Sequence, residues 1–128
     1  MKLHHVALVC RSRENADRFY EGILGLRKIK SFMLGKDLAE QIFEIPRECR
    51  VILYGNDHFA AEVFVADPAP GKVTPFVHLC LEVEDREEFV KRCEAMHVEV
   101  NCIPKEDALL TFVKDYDGNL FEIKESPG

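Results

Sequence analysis

The sequence predicts an α+β fold made of two copies of one module, each a strand, a helix and about three further strands. Three spacings carry that prediction. His5-Val-Ala-Leu-Val recurs as His78-Leu-Cys-Leu-Glu, 73 residues on. Ser12, a residue type favoured as a helix N-cap, has its counterpart in Asp85 at the same offset. Near the far end of each half, Glu62-Val63-Phe64 matches Glu122-Ile123-Lys124 at an offset of 60. Module one spans residues 1–66, a linker 67–75 and module two 76–128, all within a single domain.

Leu3 to Val9 alternates like a strand, with Leu3, His5, Ala7 and Val9 on one face and His4, Val6, Leu8 and Cys10 on the other. Ala16, Phe19, Tyr20 and Ile23 then recur at helical spacing, and Gly22 and Gly25 are expected to end that helix. Leu26 to Met33 reads as a second strand. Leu38 to Phe43 reads as a short helix capped by Asp37 and stopped by Pro46. Arg50 to Tyr54 and Phe59 to Val65 form a hairpin around Gly55-Asn56-Asp57.

Asp67-Pro68-Ala69-Pro70-Gly71 is the linker-like stretch, and the plan then restarts. Phe76 to Val83 is a strand. Asp85 with Glu88 three residues on makes a capping box, and Phe89, Val90, Cys93 and Met96 form the helical stripe. Val98 to Ile103 is a strand, and Thr111 to Lys124 a hairpin turning at Asp117-Gly118. Its second strand places Phe121 and Ile123 on one face and Leu120, Glu122 and Lys124 on the other.

A net charge of −6 with interspersed signs leaves no basic stripe, so nucleic acid is not an expected partner. No run approaches the roughly 20 apolar residues of a membrane span. Met1-Lys2 passes directly into a strand-like segment with no signal-peptide pattern, and the expected location is cytoplasmic. Five cysteines, Cys10, Cys49, Cys80, Cys93 and Cys102, without a Cys-x-x-Cys pair, read as reduced and mostly buried thiols.

One histidine on the first strand and one glutamate on the last strand of each module make a symmetric set of two imidazoles and two carboxylates. Taken alone, a strand histidine is more often a satisfied core or surface residue than a ligand, and a carboxylate there is commonly just solvated. Repeated at equivalent positions, the four suit a five- or six-coordinate divalent ion such as zinc, nickel, iron, cobalt or manganese. His4 is expected to pack or meet solvent on the face opposite His5, with His58 in a turn and His97 past a helix end.

His5-Val-Ala-Leu-Val followed by Ala16-Asp-Arg-Phe-Tyr-Glu-Gly-Ile-Leu-Gly-Leu resembles the opening of the vicinal oxygen chelate superfamily, the glyoxalase I and bleomycin-resistance fold. Phe76-Val-His-Leu-Cys-Leu-Glu-Val and Phe112-Val-Lys-Asp-Tyr-Asp-Gly-Asn-Leu-Phe-Glu-Ile are similar to its middle and end. The resemblance implies two βαβββ modules forming a curled, cup-shaped mixed sheet with helices outside. It implies metal ligation by His5, Glu62, His78 and Glu122, the divalent ion being zinc or nickel first and cobalt, manganese or iron otherwise. Glu122 is implied as proton shuttle, with Glu62 second.

The implied activity is that of a metal-dependent lyase or isomerase of lactoylglutathione lyase type, turning the hemithioacetal of methylglyoxal and a thiol into a lactoyl thioester. The alternatives are an epimerase, a fosfomycin-type thiol transferase, a dioxygenase, or a resistance protein that binds a small molecule without chemistry. A homodimer is expected, with His5 and Glu62 from one chain and His78 and Glu122 from the other. Closure of the two modules of one chain on each other is the alternative.

Overall fold

In the computed structural model, which describes residues 1–70 and 76–127, the chain forms two units, Met1–Lys72 and Val73–Gly128. The first contains β1 (Val6–Cys10), α1 (Arg13–Ala16) running on into a π-helical segment (Asp17–Ile23), β2 (Arg27–Leu34), α2 (Lys36–Phe43), β3 (Cys49–Gly55) and β4 (Ala60–Val65). The second contains β5 (Leu79–Val83), α3 (Arg86–Ala95), β6 (Val100–Lys105), β7 (Ala108–Lys114) and β8 (Leu120–Glu125). The two sheets have matching strand orders, β1-β4-β3-β2 and β5-β8-β7-β6. The predicted α+β, two-module plan is therefore the fold. Within the predicted linker, residues 71–75 lie outside the described residues.

Capping follows the sequence. Ser12 Oγ accepts the Asn15 N–H at 3.0 Å, and the Asp85 carboxylate accepts the Glu88 N–H at 3.0 Å, each satisfying a donor left free at a helix start. The first helix loosens into π geometry, with the Leu24 N–H reaching back five residues to the Phe19 carbonyl at 2.9 Å. Gly22 lies inside that segment rather than ending it. Gly25, with φ +72, is the residue that turns the chain out. Helix α2 begins after Gly35, with Asp37 inside its first turn instead of capping it. The wider π turn sets Phe19, Tyr20 and Ile23, all fully buried, against the sheet.

The first and last strands of each module pair in parallel, β1 with β4 and β5 with β8, while the other neighbours pair antiparallel. Alternation then divides each sheet into a core face and an open face, except along β3, where Val51 to Tyr54 are buried on both. In the first unit Cys10, Ile52, Tyr54, Ala61 and Val63 are buried, and Tyr54 stacks on Tyr20 at 5.5 Å between ring centroids. In the second, Val113, Phe121 and Ile123 share the buried face, and Phe89 and Cys93 of α3 are buried with them. Strand starts fall later than the alternation suggests: His5 precedes β1, and Phe76 to His78 precede β5. The thiols are less buried than expected. Cys10 and Cys93 are buried, Cys49 is half-buried, and Cys80 and Cys102 are exposed; none is in a disulfide.

At the margin of the first core, Tyr54 O–H donates to Asp17 Oδ1 at 2.7 Å, and Lys28 Nζ stands 2.9 Å from the same oxygen. Burial acts to raise the Asp17 pKa, but the Tyr54 hydrogen bond and the Lys28 ammonium outweigh it, so the carboxyl lies below its usual value. Burial and the Asp17 contact together raise the Tyr54 hydroxyl. A depressed carboxyl contributes stability above its unfolded-state pKa and loses it as pH falls through the folded one. Asp17→Asn should therefore lower the urea midpoint at pH 7, and the difference from the parent chain should shrink by pH 3. A difference independent of pH would mean that the carboxylate charge has no part in it.

Candidate metal centre

In the first unit His5 lies just before β1, and Glu62 lies in β4. Parallel register sets Ala7 opposite Glu62, so His5 stands two residues upstream of Glu62's neighbour, just before the strand begins. His5 Nε2 is 3.6 Å from Glu62 Oε1. The second unit repeats this placement. Cys80 is opposite Glu122, His78 is two residues upstream, and His78 Nε2 is 3.6 Å from Glu122 Oε1. Exposure repeats too: the two histidine side chains are 36% and 37% accessible, their glutamates 22% and 19%. Side chains at the edge of solvent, with an acid partly sheltered on the open face, leave a ligand both access and direction.

In both pairs the Nδ1 atom is engaged and Nε2 faces the carboxylate. His78 Nδ1 donates to the Phe76 carbonyl at 2.8 Å. A carbonyl only accepts, so Nδ1 is the donor in that contact, and Nε2 is the ring nitrogen on the Glu122 side. His5 Nδ1 meets His4 Nδ1 at 2.8 Å, with the two rings edge to face at 5.1 Å. His4 is thus not packed apart from His5, as alternation implies, but is its partner. The alternation fails because neither residue belongs to β1.

Each His–Glu pair offers two donors of the kinds that bind a divalent ion. Two imidazoles with their other nitrogen held are the arrangement that orients metal-binding histidines. Among the described residues neither Glu62 nor Glu122 has a lysine or arginine at ion-pairing distance. Donors bound at roughly 2.0–2.2 Å to one ion stand roughly 3–3.5 Å apart, depending on the angle between them. The two 3.6 Å separations lie just outside that spacing.

Cys80 was not among the residues expected at the site. It pairs with Glu122 and follows His78 by two, and period-two alternation, which puts the two on one face, is the signal that would have found it. Burial, then the Glu122 charge, push its thiol pKa up. Phe112 also pairs with Glu122, and its ring lies 6.0 Å from that of His78. His58 is in the turn after Asn56, whose Oδ1 accepts the His58 N–H at 2.9 Å. His97 follows α3 with a left-handed φ of 58.

The sequence profile of the Glyoxalase/Bleomycin resistance protein/Dioxygenase superfamily matches residues 2–123. No curated protein is significantly similar in sequence. Solved structures share the fold at low identity. A glyoxalase family protein from Bacillus cereus is 20% identical with a TM-score of 0.80, covering 100% of this chain and 95% of its own. One from Enterococcus faecalis is 19% identical with a TM-score of 0.74, covering 95% of each chain. The genomically encoded fosfomycin resistance protein FosX of Listeria monocytogenes is 15% identical with a TM-score of 0.72, covering 99% of this chain and 94% of its own. A mutant of that FosX was crystallised with Mn(II) and 1S,2S-dihydroxypropylphosphonic acid.

His5→Ala and His78→Ala should each sharply weaken binding of zinc or nickel in calorimetry, since each removes a donor from one chelate. His4→Ala should weaken it less, by roughly the 10–100-fold of a lost orienting partner. Wild-type affinity in both His5→Ala and His78→Ala would take these residues out of any metal site.

Proposed function

The chain belongs to the Glyoxalase/Bleomycin resistance protein/Dioxygenase superfamily, and we propose that within it the protein is a divalent-metal-dependent isomerase of lactoylglutathione lyase type. Its substrate on this reading is the hemithioacetal formed by methylglyoxal and a thiol, and its product is a lactoyl thioester. The supporting observation is the twice-repeated His–Glu pair, with the same atoms, separation and strand register in each module. Together His5, Glu62, His78 and Glu122 would hold zinc or nickel, with cobalt, manganese or iron as alternatives. When bound, the ion supplies Lewis-acid polarisation of two neighbouring substrate oxygens, which acidifies the C–H bond beside them.

The chain's own part is to position the substrate and to move the proton. Glu122 takes the proton from the carbon bearing sulfur and returns it to the neighbouring carbon. The hydroxyl proton passes to the former ketone oxygen, so the product is an isomer of the substrate. Phe112, beside Glu122 on the open face, shields that carboxylate on one side and favours transfer to substrate over exchange with solvent. Glu62 is the second candidate for the base.

The two units act as halves of one domain in a cytoplasmic homodimer, with His5 and Glu62 of one chain completing the set of His78 and Glu122 of the other. Exposed apolar side chains on α2, Leu38 and Ile42, support association. A second reading, a fosfomycin-type enzyme, draws on the likeness to FosX, which takes Mn(II) and a vicinal diol phosphonate.

Metal analysis of the purified protein, with turnover assays on methylglyoxal plus several thiols and on fosfomycin, separates these readings. Glu122→Gln at full metal occupancy should lower kcat by about 10²–10⁴-fold with little change in KM. Near wild-type turnover at full occupancy would move the base to Glu62. Light scattering should give a dimer; a monomer that binds a full equivalent of metal would rule out the shared site.

A further inference from the structure

The open face of the first sheet carries more than Glu62. A cavity of about 250 Å³ lies on it, lined by Ala7, Val9 and Phe64 of the sheet, by Leu34, and by Ala39 and Phe43 of α2. Ala7 pairs with Glu62, and Val9 pairs with Phe64, so the cavity wall and the candidate ligand share neighbouring positions on one face. Ala39 belongs to a small apolar cluster with Leu34 and Val51 that Phe32 and Phe64 join. Phe43 meets Phe64 edge to face at 5.2 Å. Among the described residues of the lining, the charged side chain is Arg47, which donates to the Pro68 carbonyl at 2.9 Å.

Size and polarity restrict what such a cavity takes. An apolar cavity of roughly 150 Å³ accepts benzene, whereas whole drug-sized ligands occupy roughly 300–1,000 Å³. This one therefore accommodates part of a ligand, a phenyl or branched alkyl group, and its lining offers few polar partners to anything else. The open face of the second sheet differs. Its hollow is lined by Glu99, Asn101, Lys114 and Phe112 among others, with Lys114 and Glu99 paired at 3.5 Å.

Resting on the metal-site reading above, we infer that this cavity is a specificity pocket for an apolar substituent carried beside the chelating oxygens, so that besides a methyl-bearing substrate the site takes ones with a bulky aryl or alkyl group in the methyl's place. Helix α2 sets the size limit, because Ala39 and Phe43 form its wall of the cavity.

Two titrations test the pocket and the metal site separately. In the first, metal-free protein is titrated with the alkanols from 1-butanol to 1-octanol and followed by amide chemical shifts. Saturable shifts at Leu34, Ala39, Phe43 and Phe64, with affinity rising about fourfold per methylene until the space is filled, are expected. Ala39→Leu should lower the chain length at which the gain stops, and Phe43→Ala, at a 44% exposed position, should weaken the longer alkanols. The absence of saturable shifts overturns the pocket, whatever the metal does. So do shifts of the same amides that follow protein concentration without alkanol, which would make a second copy the occupant.

In the second, zinc-loaded protein is titrated with acetohydroxamate and hexanohydroxamate by calorimetry. Hexanohydroxamate should bind at least about tenfold tighter, and Ala39→Leu should remove that advantage while leaving acetohydroxamate unchanged. Equal affinities overturn the inference with the metal reading intact. Failure of both hydroxamates to bind, with alkanol binding retained, overturns the metal reading and with it the link between pocket and chelate.

Discussion

Everything at the candidate site depends on the parallel pairing of a module's first strand with its last. The helix that follows β1 carries the chain away, β2 and β3 are laid down antiparallel, and β4 returns to fill the place between β3 and β1. That closure is long-range, and its register is held by burial. Ala61 and Val63 of β4 are fully buried on the helix-covered face. A slip by one residue would expose them and drive Glu62 into that core, an uncompensated burial of charge. The same holds in β8, where Phe121 and Ile123 flank Glu122. The carboxylates are thus fixed on the open face by their neighbours' hydrophobicity.

The histidines are fixed differently. Both lie just outside their strands, so no ladder holds them. Each is oriented by what its Nδ1 meets: the Phe76 carbonyl for His78 and the His4 ring for His5. Phe76 reaches that position with a left-handed φ of 75, which a bulky residue adopts rarely. The two modules reach the same 3.6 Å separation with different orienting groups. The shared part is strand register, and the variable part is local.

Alternation within strands is what the sequence made legible. Period two around Glu122 put Phe121 and Ile123 on one face and Glu122 on the other, and the repeat of His and Glu at fixed offsets showed the duplication. Cap chemistry placed both principal helix starts. The parallel sense of the β1–β4 pairing was not legible, because alternation describes one strand and not its partner's direction. His4 was misplaced because alternation was extended past the true start of β1. Gly22 was read as a stop because π geometry has no simple spacing signal; only the hydrogen bond from Leu24 to Phe19 reveals it.

The modules differ most where α2 interrupts the β2–β3 connection of the first. Strand β2 is the edge strand of its sheet, so chain inserted after it disturbs no ladder on its outer side, and lengthening a loop there carries only a slowly growing entropic penalty. From that edge the inserted helix lies over the open face, with Ala39 against Leu34 and Val51 and Phe43 against Phe64. An insertion after β4 would instead have to leave from inside the sheet, between β1 and β3. The duplicated frame thus keeps its two glutamates under strict register while the edge-strand connection is free to acquire a wall. On the proposed reading, chelate geometry and pocket shape then reside in separate parts of the module.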